Sequence, residues 1–214
     1  MATLKTKLLA ATGALSLLAG ATSASAAILI SSGPGGPNPD ENVLFNTGGQ
    51  TGFTVQGHTN QTNTLVDFTG LELLNAAGGQ ADISAVDGGF TSLSWQLVTP
   101  NTGYTDLKFN ILADLNSTVT LTFLDQFGNS YSDDFSISKN GQNFFQAHVN
   151  GGSLITLAQL STTADVTHVE QVRLGGFTTI SPIPEPASWV TMIAGFGLVG
   201  FALRQRRRSN QVLA

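Results

Sequence analysis

Cysteine is absent from this chain, and positive charge is scarce. The lack of thiols excludes disulfides, thiolate metal sites and cysteine nucleophiles. Of nine Lys and Arg residues among 214, Lys5 and Lys7 stand near the start and Arg204, Arg206, Arg207 and Arg208 near the end. Only Lys108, Lys139 and Arg173 lie between. Residues 27–183 hold thirteen of the fourteen carboxylates, a net −10 against −5 for the whole chain. Such a surface disfavours nucleic acid, whose phosphates need clustered cations. Helical periodicity is missing outside the two ends, as are H-E-x-x-H and G-x-S-x-G patterns. The length suits one domain with short appendages, large enough to bury a core without covalent staples.

What the middle does have is short β-like runs broken by Gly, Asn and Asp. They fall at 43–46, 52–57, 63–70, 71–76, 81–86, 92–98, 106–113, 117–125, 131–138, 143–149, 154–160 and 169–177. Thr, Val, Phe and Ile are enriched in them, as strands require. Val119, Leu121 and Phe123 alternate with threonines, and Leu107, Phe109 and Ile111 share the period. Gln126-Phe127-Gly128-Asn129 reads as a hairpin turn, and Asn150-Gly151-Gly152 as another. The expectation is an all-β domain over 27–180, an antiparallel β-sandwich of jelly-roll-like arrangement.

The two ends differ in chemistry from this domain. Lys5 and Lys7 precede an apolar run from Leu8 to Ala21, and Ala24-Ser25-Ala26 sets small residues before a cleavage point. Residues 1–26 therefore read as a signal peptide cleaved after Ala26, and the mature chain as exported. At the other end, Trp189 to Leu203 carries no charge. As a helix it would span about 22 Å, against a hydrocarbon core of about 30 Å. Ala187, Ser188 and snorkelling arginines can lengthen it. A single transmembrane helix over about 187–203 is expected, with Trp189 at the interface. Arg204, Arg206, Arg207 and Arg208 would hold the C-terminus inside, an N-out/C-in topology with residues 209–214 as a cytoplasmic tail. Pro184 and Pro186 keep the preceding segment extended and accessible.

Pro184-Glu185-Pro186, Trp189, a Gly-rich apolar stretch and an arginine cluster, in that order, resemble a PEP-CTERM sorting signal over residues 182–208. The form is similar to the PEPxxWA variant, with Val190 in place of Ala. That resemblance implies an exosortase-type membrane processing enzyme of Gram-negative bacteria as partner. It further implies a transient stage in the inner membrane, processing near the Pro-Glu-Pro motif, then the cell surface or extracellular matrix, in association with exopolysaccharide. The segments TVQGHTNQTNTLVDFTG (54–70) and VEQVRLGGF (169–177) resemble stretches of exported PEP-CTERM proteins of undefined activity.

Candidate chemistry within the domain is sparse. Asp125, Asn129, Asp133 and Asp134 place oxygen ligands around a turn, a set that calcium accepts, though their spacing is not an EF-hand and Asp and Asn are ordinary turn formers. Calcium is the single cofactor considered. Tyr104, after Asn101-Thr102-Gly103, is a candidate exposed platform for a sugar ring, whereas Trp95 reads as a core residue. His58 reads as a surface loop residue, and His148 and His168 as sheet-surface residues. No acid/base carboxylate pair stands out. The leading expectation is a non-catalytic structural or interaction protein of the cell surface or exopolysaccharide matrix. The alternatives are a carbohydrate-binding module with a structural calcium, or a polysaccharide-acting enzyme.

Overall fold

A computed structural model describes residues 27–46, 48–139, 141–180, 194–200 and 204. The strands are β1 (Ala27–Ser32), β2 (Glu41–Phe45), β3 (Gln50–Thr59), β4 (Leu65–Ala76), β5 (Gly79–Gln80), β6 (Asp82–Ala85), β7 (Phe90–Leu97) and β8 (Thr102–Gly103). They continue with β9 (Asp106–Leu112), β10 (Ser117–Asp125), β11 (Ser130–Ile137), β12 (Asn143–Asn150), β13 (Ile155–Val166), β14 (His168–Gly175) and β15 (Thr178–Thr179). The main sheet runs β1-β12-β9-β14-β2-β3-β4-β7-β13-β10-β11. Every named strand pairing in it is antiparallel.

Short β6 pairs with both β14 and β4, so β14, β2, β3, β4 and β6 close into a five-stranded ring. From this ring two arms extend. One is β9-β12-β1; the other is β7-β13-β10-β11. They face each other as the two layers of a sandwich, and β1 comes back beside β10 and β11. Closure of the ring gives each of its five strands two neighbours, while β1 and β11 end the sheet.

Alternation decides which side chains fill the space between the layers. In β10, Val119, Leu121 and Phe123 are buried while Thr118, Thr120 and Thr122 face outward. Those threonines join a polar outer ladder: Thr120 donates to Asp134 Oδ1 at 2.6 Å, and Thr122 pairs with Ser132 at 3.0 Å. In β9, Leu107, Phe109 and Ile111 point inward. Six aromatic rings form a chain through the core: Phe45, Phe68, Trp95, Phe109, Phe145 and Phe135, with centroid separations of 5.1 to 6.0 Å. The Trp95–Phe109 contact, 5.1 Å and edge-on at 77°, joins the two layers. Edge-on geometry sets the positive rim of one ring against the negative face of the other, worth about 0.5–1.5 kcal/mol beyond burial.

The hairpin from β10 to β11 turns where expected. Gly128 N donates to Asp125 O at 3.0 Å, and Gly128 has φ +81°, a conformation glycine adopts without a Cβ penalty. The runs 63–70 and 71–76, expected as two strands, form the single irregular strand β4.

The membrane expectation is corrected. Among the described residues no helix is long and apolar enough to cross a membrane. The described helical stretch of the tail is 194–200, with Gly195, Gly197 and Gly200 in it. Each glycine costs a helix about 1 kcal/mol relative to alanine. The transmembrane helix over 187–203 and the N-out/C-in inner-membrane stage are therefore withdrawn. Arg204 is helical and exposed. Ala24, Ala26, Pro184, Glu185, Pro186, Trp189, Arg206, Arg207 and Arg208 lie outside the described residues, as does the expected signal peptide.

Candidate functional site

The four oxygen-bearing residues suggested for calcium separate into two groups. Asp125 is 2% exposed, and its carboxylate is fully engaged in the turn. It accepts from Phe127 N, Asn129 N and Asn129 Nδ2, each at 2.9 Å, and from the Tyr131 hydroxyl at 3.2 Å. Asn129 thus presents its amide N–H, not its carbonyl oxygen, to Asp125. Asp133 and Asp134 are exposed on β11. Asp133 accepts from Asp134 N at 2.9 Å, and Asp134 faces Thr120. Among the described residues no three His, Asp or Glu side chains gather into a metal-holding group.

Tyr104 is not the exposed platform expected. It is fully buried, bridged to Ile155 through reciprocal backbone bonds of 3.1 and 2.8 Å. Burial pushes its phenol far above the ordinary range; the nearby Trp95 indole counters part of that, although neither polar atom completes a hydrogen bond of ordinary geometry. The sugar-stacking role fails because no ring face reaches solvent. Trp95 is a core residue, as expected.

His58 sits in strand β3 and not in a loop. His148 and His168 each pair with a carboxylate: Nδ1 of His148 lies 2.6 Å from Asp106 Oδ1, and Nδ1 of His168 lies 2.7 Å from Asp82 Oδ1. Asp106 also accepts from the Thr105 hydroxyl at 2.6 Å. Sequence separations of 42 and 86 residues hid both pairs. Among the described residues, no serine hydroxyl is hydrogen-bonded to either imidazole.

These two pairs bracket a polar surface that the linear pattern did not show. On the outer face of β12, β9 and β14 the registers line up in rows. His148, Asp106 and Gly175 form one row. Gln146, Lys108 and Arg173 form the next, and Phe144, Asn110 and Glu170 the third. Beyond these, Leu112 and His168 open onto a cleft of about 460 Å³, lined also by Asp114, Gln142 and Thr167.

A bulge in β14 builds this arrangement. The register shifts between Glu170 and Arg173, where Gln171 adopts φ +55°. Three residues apart on a regular strand, Glu170 and Arg173 would point to opposite faces. The extra residue lets both point outward while Val169, Val172 and Leu174 stay in the core. The left-handed conformation at Gln171 costs about 1–2 kcal/mol, and strain of this sort concentrates at functional positions.

The face is partly roofed by the Gly- and Pro-rich loop 33–40. Lys108 Nζ donates to Pro34 O at 2.8 Å, and Arg173 Nη1 to Asn38 Oδ1 at 2.7 Å. Gly36, φ +97°, lies so close on the Gln146 amide that a Cβ would collide with it. Among the described residues, eight side chains hold a buried polar atom without a partner, and three of them meet on this face. They are Asn110, lacking partners for both Nδ2 and Oδ1, Gln146 at Oε1, and Arg173 at Nε. Asn110 is 0% exposed. Each such group costs about 1–3 kcal/mol unless something satisfies it.

The class these features define is an all-β antiparallel barrel-sandwich with a polar outer face on β12, β9 and β14. Residues 182–208 match the PEP-CTERM protein-sorting motif; the β-rich domain lies outside that match. A comparison with characterised protein sequences gives no match. Among solved structures, an exo-β-agarase is similar at 11% identity and TM-score 0.36, over 70% of this chain and 25% of that one. The enzymatically active domain of tailspike protein 4 from bacteriophage CBA120 is similar at 16% and 0.28, over 69% and 19%. The family 29 carbohydrate-binding module CBM29_1 from Piromyces equi is similar at 9% and 0.31, over 73% and 92%. This chain thus spans a quarter and a fifth of the first two. Likenesses of this size carry no argument about ligand or activity.

The Asp125 cap has a pH signature. Burial raises its pKa, but the bonds from the Asn129 side chain and backbone, Phe127 N and Tyr131 outweigh burial and hold it below the ordinary 3.8. A depressed carboxyl stabilises the fold fully above its unfolded value, and loses that contribution as pH falls through the folded value. Asp125→Ala should cost about 1–3 kcal/mol at pH 7. In urea unfolding of both chains, the gap between them should narrow steadily below about pH 4. A gap independent of pH would contradict this role for the carboxylate.

Proposed function

We propose that this chain is a polysaccharide-binding β-sandwich module whose ligand lies across the outer face of β12, β9 and β14. The observation that carries the reading is Asn110. It is a buried amide with donor and acceptor both unpartnered, one row from an open cleft. A sugar's vicinal hydroxyls donate and accept together, which is the complement an amide needs. Glu170 supplies further acceptors, Gln146 a second amide, and Phe144 an apolar ring beside them. Side chains in rows along three adjacent strands suit an extended polymer better than a small enclosed ligand once the partial roof of loop 33–40 gives way. Binding rather than turnover is the reading, with the module carried on a chain whose C-terminal segment is processed by an exosortase-type partner.

Affinity gel electrophoresis of the full chain against a panel of neutral and acidic polysaccharides tests the ligand. At least one polymer should retard it, and Asn110→Ala should weaken that retardation about tenfold or more, the effect of about 1.4 kcal/mol. Its thermal midpoint should hold or rise, because the substitution removes unsatisfied buried groups. Retardation by no polymer, or unchanged retardation of the variant, would overturn the reading.

The processing partner is tested in cells that carry an exosortase. Mass spectrometry of the accumulated protein should find a shortened C-terminus for the native chain and an intact one when Pro184, Glu185 and Pro186 are all alanine. An identical C-terminus in both would remove the exosortase assignment.

A further inference from the structure

The three cations of the strand domain, Lys108, Lys139 and Arg173, stand against thirteen carboxylates. Two of them, Lys108 and Arg173, occupy directly opposed positions on β9 and β14. Like charges placed so repel and weaken a sheet by tenths of a kcal/mol to about 1 kcal/mol. A neighbouring carboxylate would normally relieve this, and the domain has many to offer. Yet among the described residues the close contacts of basic side chains with carboxylates are His148–Asp106 and His168–Asp82, and neither Lys108 nor Arg173 makes one. Asp106, one row away, is already held by Thr105 and His148.

What the two cations touch instead is neutral. Lys108 donates to the Pro34 carbonyl and lies 5.6 Å from the centre of the Phe144 ring. Arg173 gives Nη1 to the Asn38 side-chain oxygen and leaves Nε buried without a partner. Nε forms part of the edge through which a guanidinium receives a carboxylate side-on, with two parallel bonds. Both neutral acceptors, Pro34 O and Asn38 Oδ1, belong to the loop 33–40 and occupy donors that an anionic oxygen would satisfy better.

We infer that the polysaccharide is acidic, with a uronate carboxylate received between the Nε edge of Arg173 and Lys108, in place of the Pro34 oxygen. This rests on the polysaccharide reading above and names its substrate class. The bulge at Gln171 then has a stated purpose, since it brings Arg173 to the face opposite Lys108. Loop 33–40 yields the Lys108 hydrogen bond to Pro34 O, and the carboxylate takes charge-assisted bonds from Lys108 and Arg173 Nε, which are roughly twice as strong as neutral ones. The acidic remainder of the domain repels a polyanion, so attraction is confined to this patch.

The test compares the full chain on polygalacturonate and alginate with the same polymers after carboxyl reduction, which keeps the backbone and removes the charge. A polyuronate should bind at least tenfold more tightly than its reduced form. Arg173→Gln and Lys108→Met should each erase that preference, whereas Arg173→Lys, which keeps charge but loses the two-bond edge, should retain part of it. Circular dichroism of each variant confirms the fold. Equal binding of native and reduced polymers, binding to neutral polysaccharides alone, or a preference that survives Arg173→Gln would overturn the acidic-ligand inference while the broader reading stands. Binding of no polysaccharide would overturn both.

Discussion

The edge-on contact between Trp95 and Phe109 is the constraint on which the rest of this structure depends. It is where the arm carrying β7 meets the arm carrying β9. Through Phe68 and Phe45 it reaches the five-stranded ring, and through Phe145 and Phe135 it reaches β12 and β11. Once Phe109 is fixed inward, alternation along β9 sends Lys108 and Asn110 outward. The same logic at Phe145 sends Phe144 and Gln146 to that side. The polar face is thus a direct consequence of core packing. A one-residue slip would move every one of these groups into the sandwich, at the cost of burying a charge.

One strand departs from simple alternation, and that departure makes the surface unusual. At the β14 bulge, two charged residues reach the outer face without removing Val169, Val172 or Leu174 from the core. The strain at Gln171, the opposed cations and the unpartnered amides are three separate destabilising features within a few residues. A fold selected only for stability would be expected to shed them; a fold that holds a ligand keeps them, because bound oxygens satisfy the same atoms.

Much of the strand pattern was legible in the sequence because its signals are local. Thr and Val alternate at 117–125, and Gly128 marks the hairpin between β10 and β11. Other elements were not legible. β1 (Ala27–Ser32) directly follows the expected cleavage point after Ala26 and is not among the expected strand runs. The second half of β13, Ser161–Val166, is rich in small polar residues, and its pairing with β7 is interrupted by a register shift between Ser161 and Val166. Tyr104 looked exposed after Asn-Thr-Gly, but bridging to Ile155 across 51 positions buries it. The His–Asp pairs and the Asn110 face depend on register between strands far apart in sequence, and no local pattern encodes register. The apolar tail read as a membrane span from its charge-free run and the arginines after it, whereas no described helix is long and apolar enough to cross a membrane.

The central claim is that the buried polar atoms on the β12-β9-β14 face are satisfied by a ligand. Side-chain amide and guanidinium resonances report on the groups that carry those atoms. In a ¹⁵N-labelled chain titrated with a polysaccharide that binds it, the Asn110 Nδ2, Gln146 Nε2 and Arg173 Nε signals should shift together and saturate at one ligand concentration. Shifts confined to the Thr and Asp ladder of β10 and β11, with those three signals unmoved, would contradict the account.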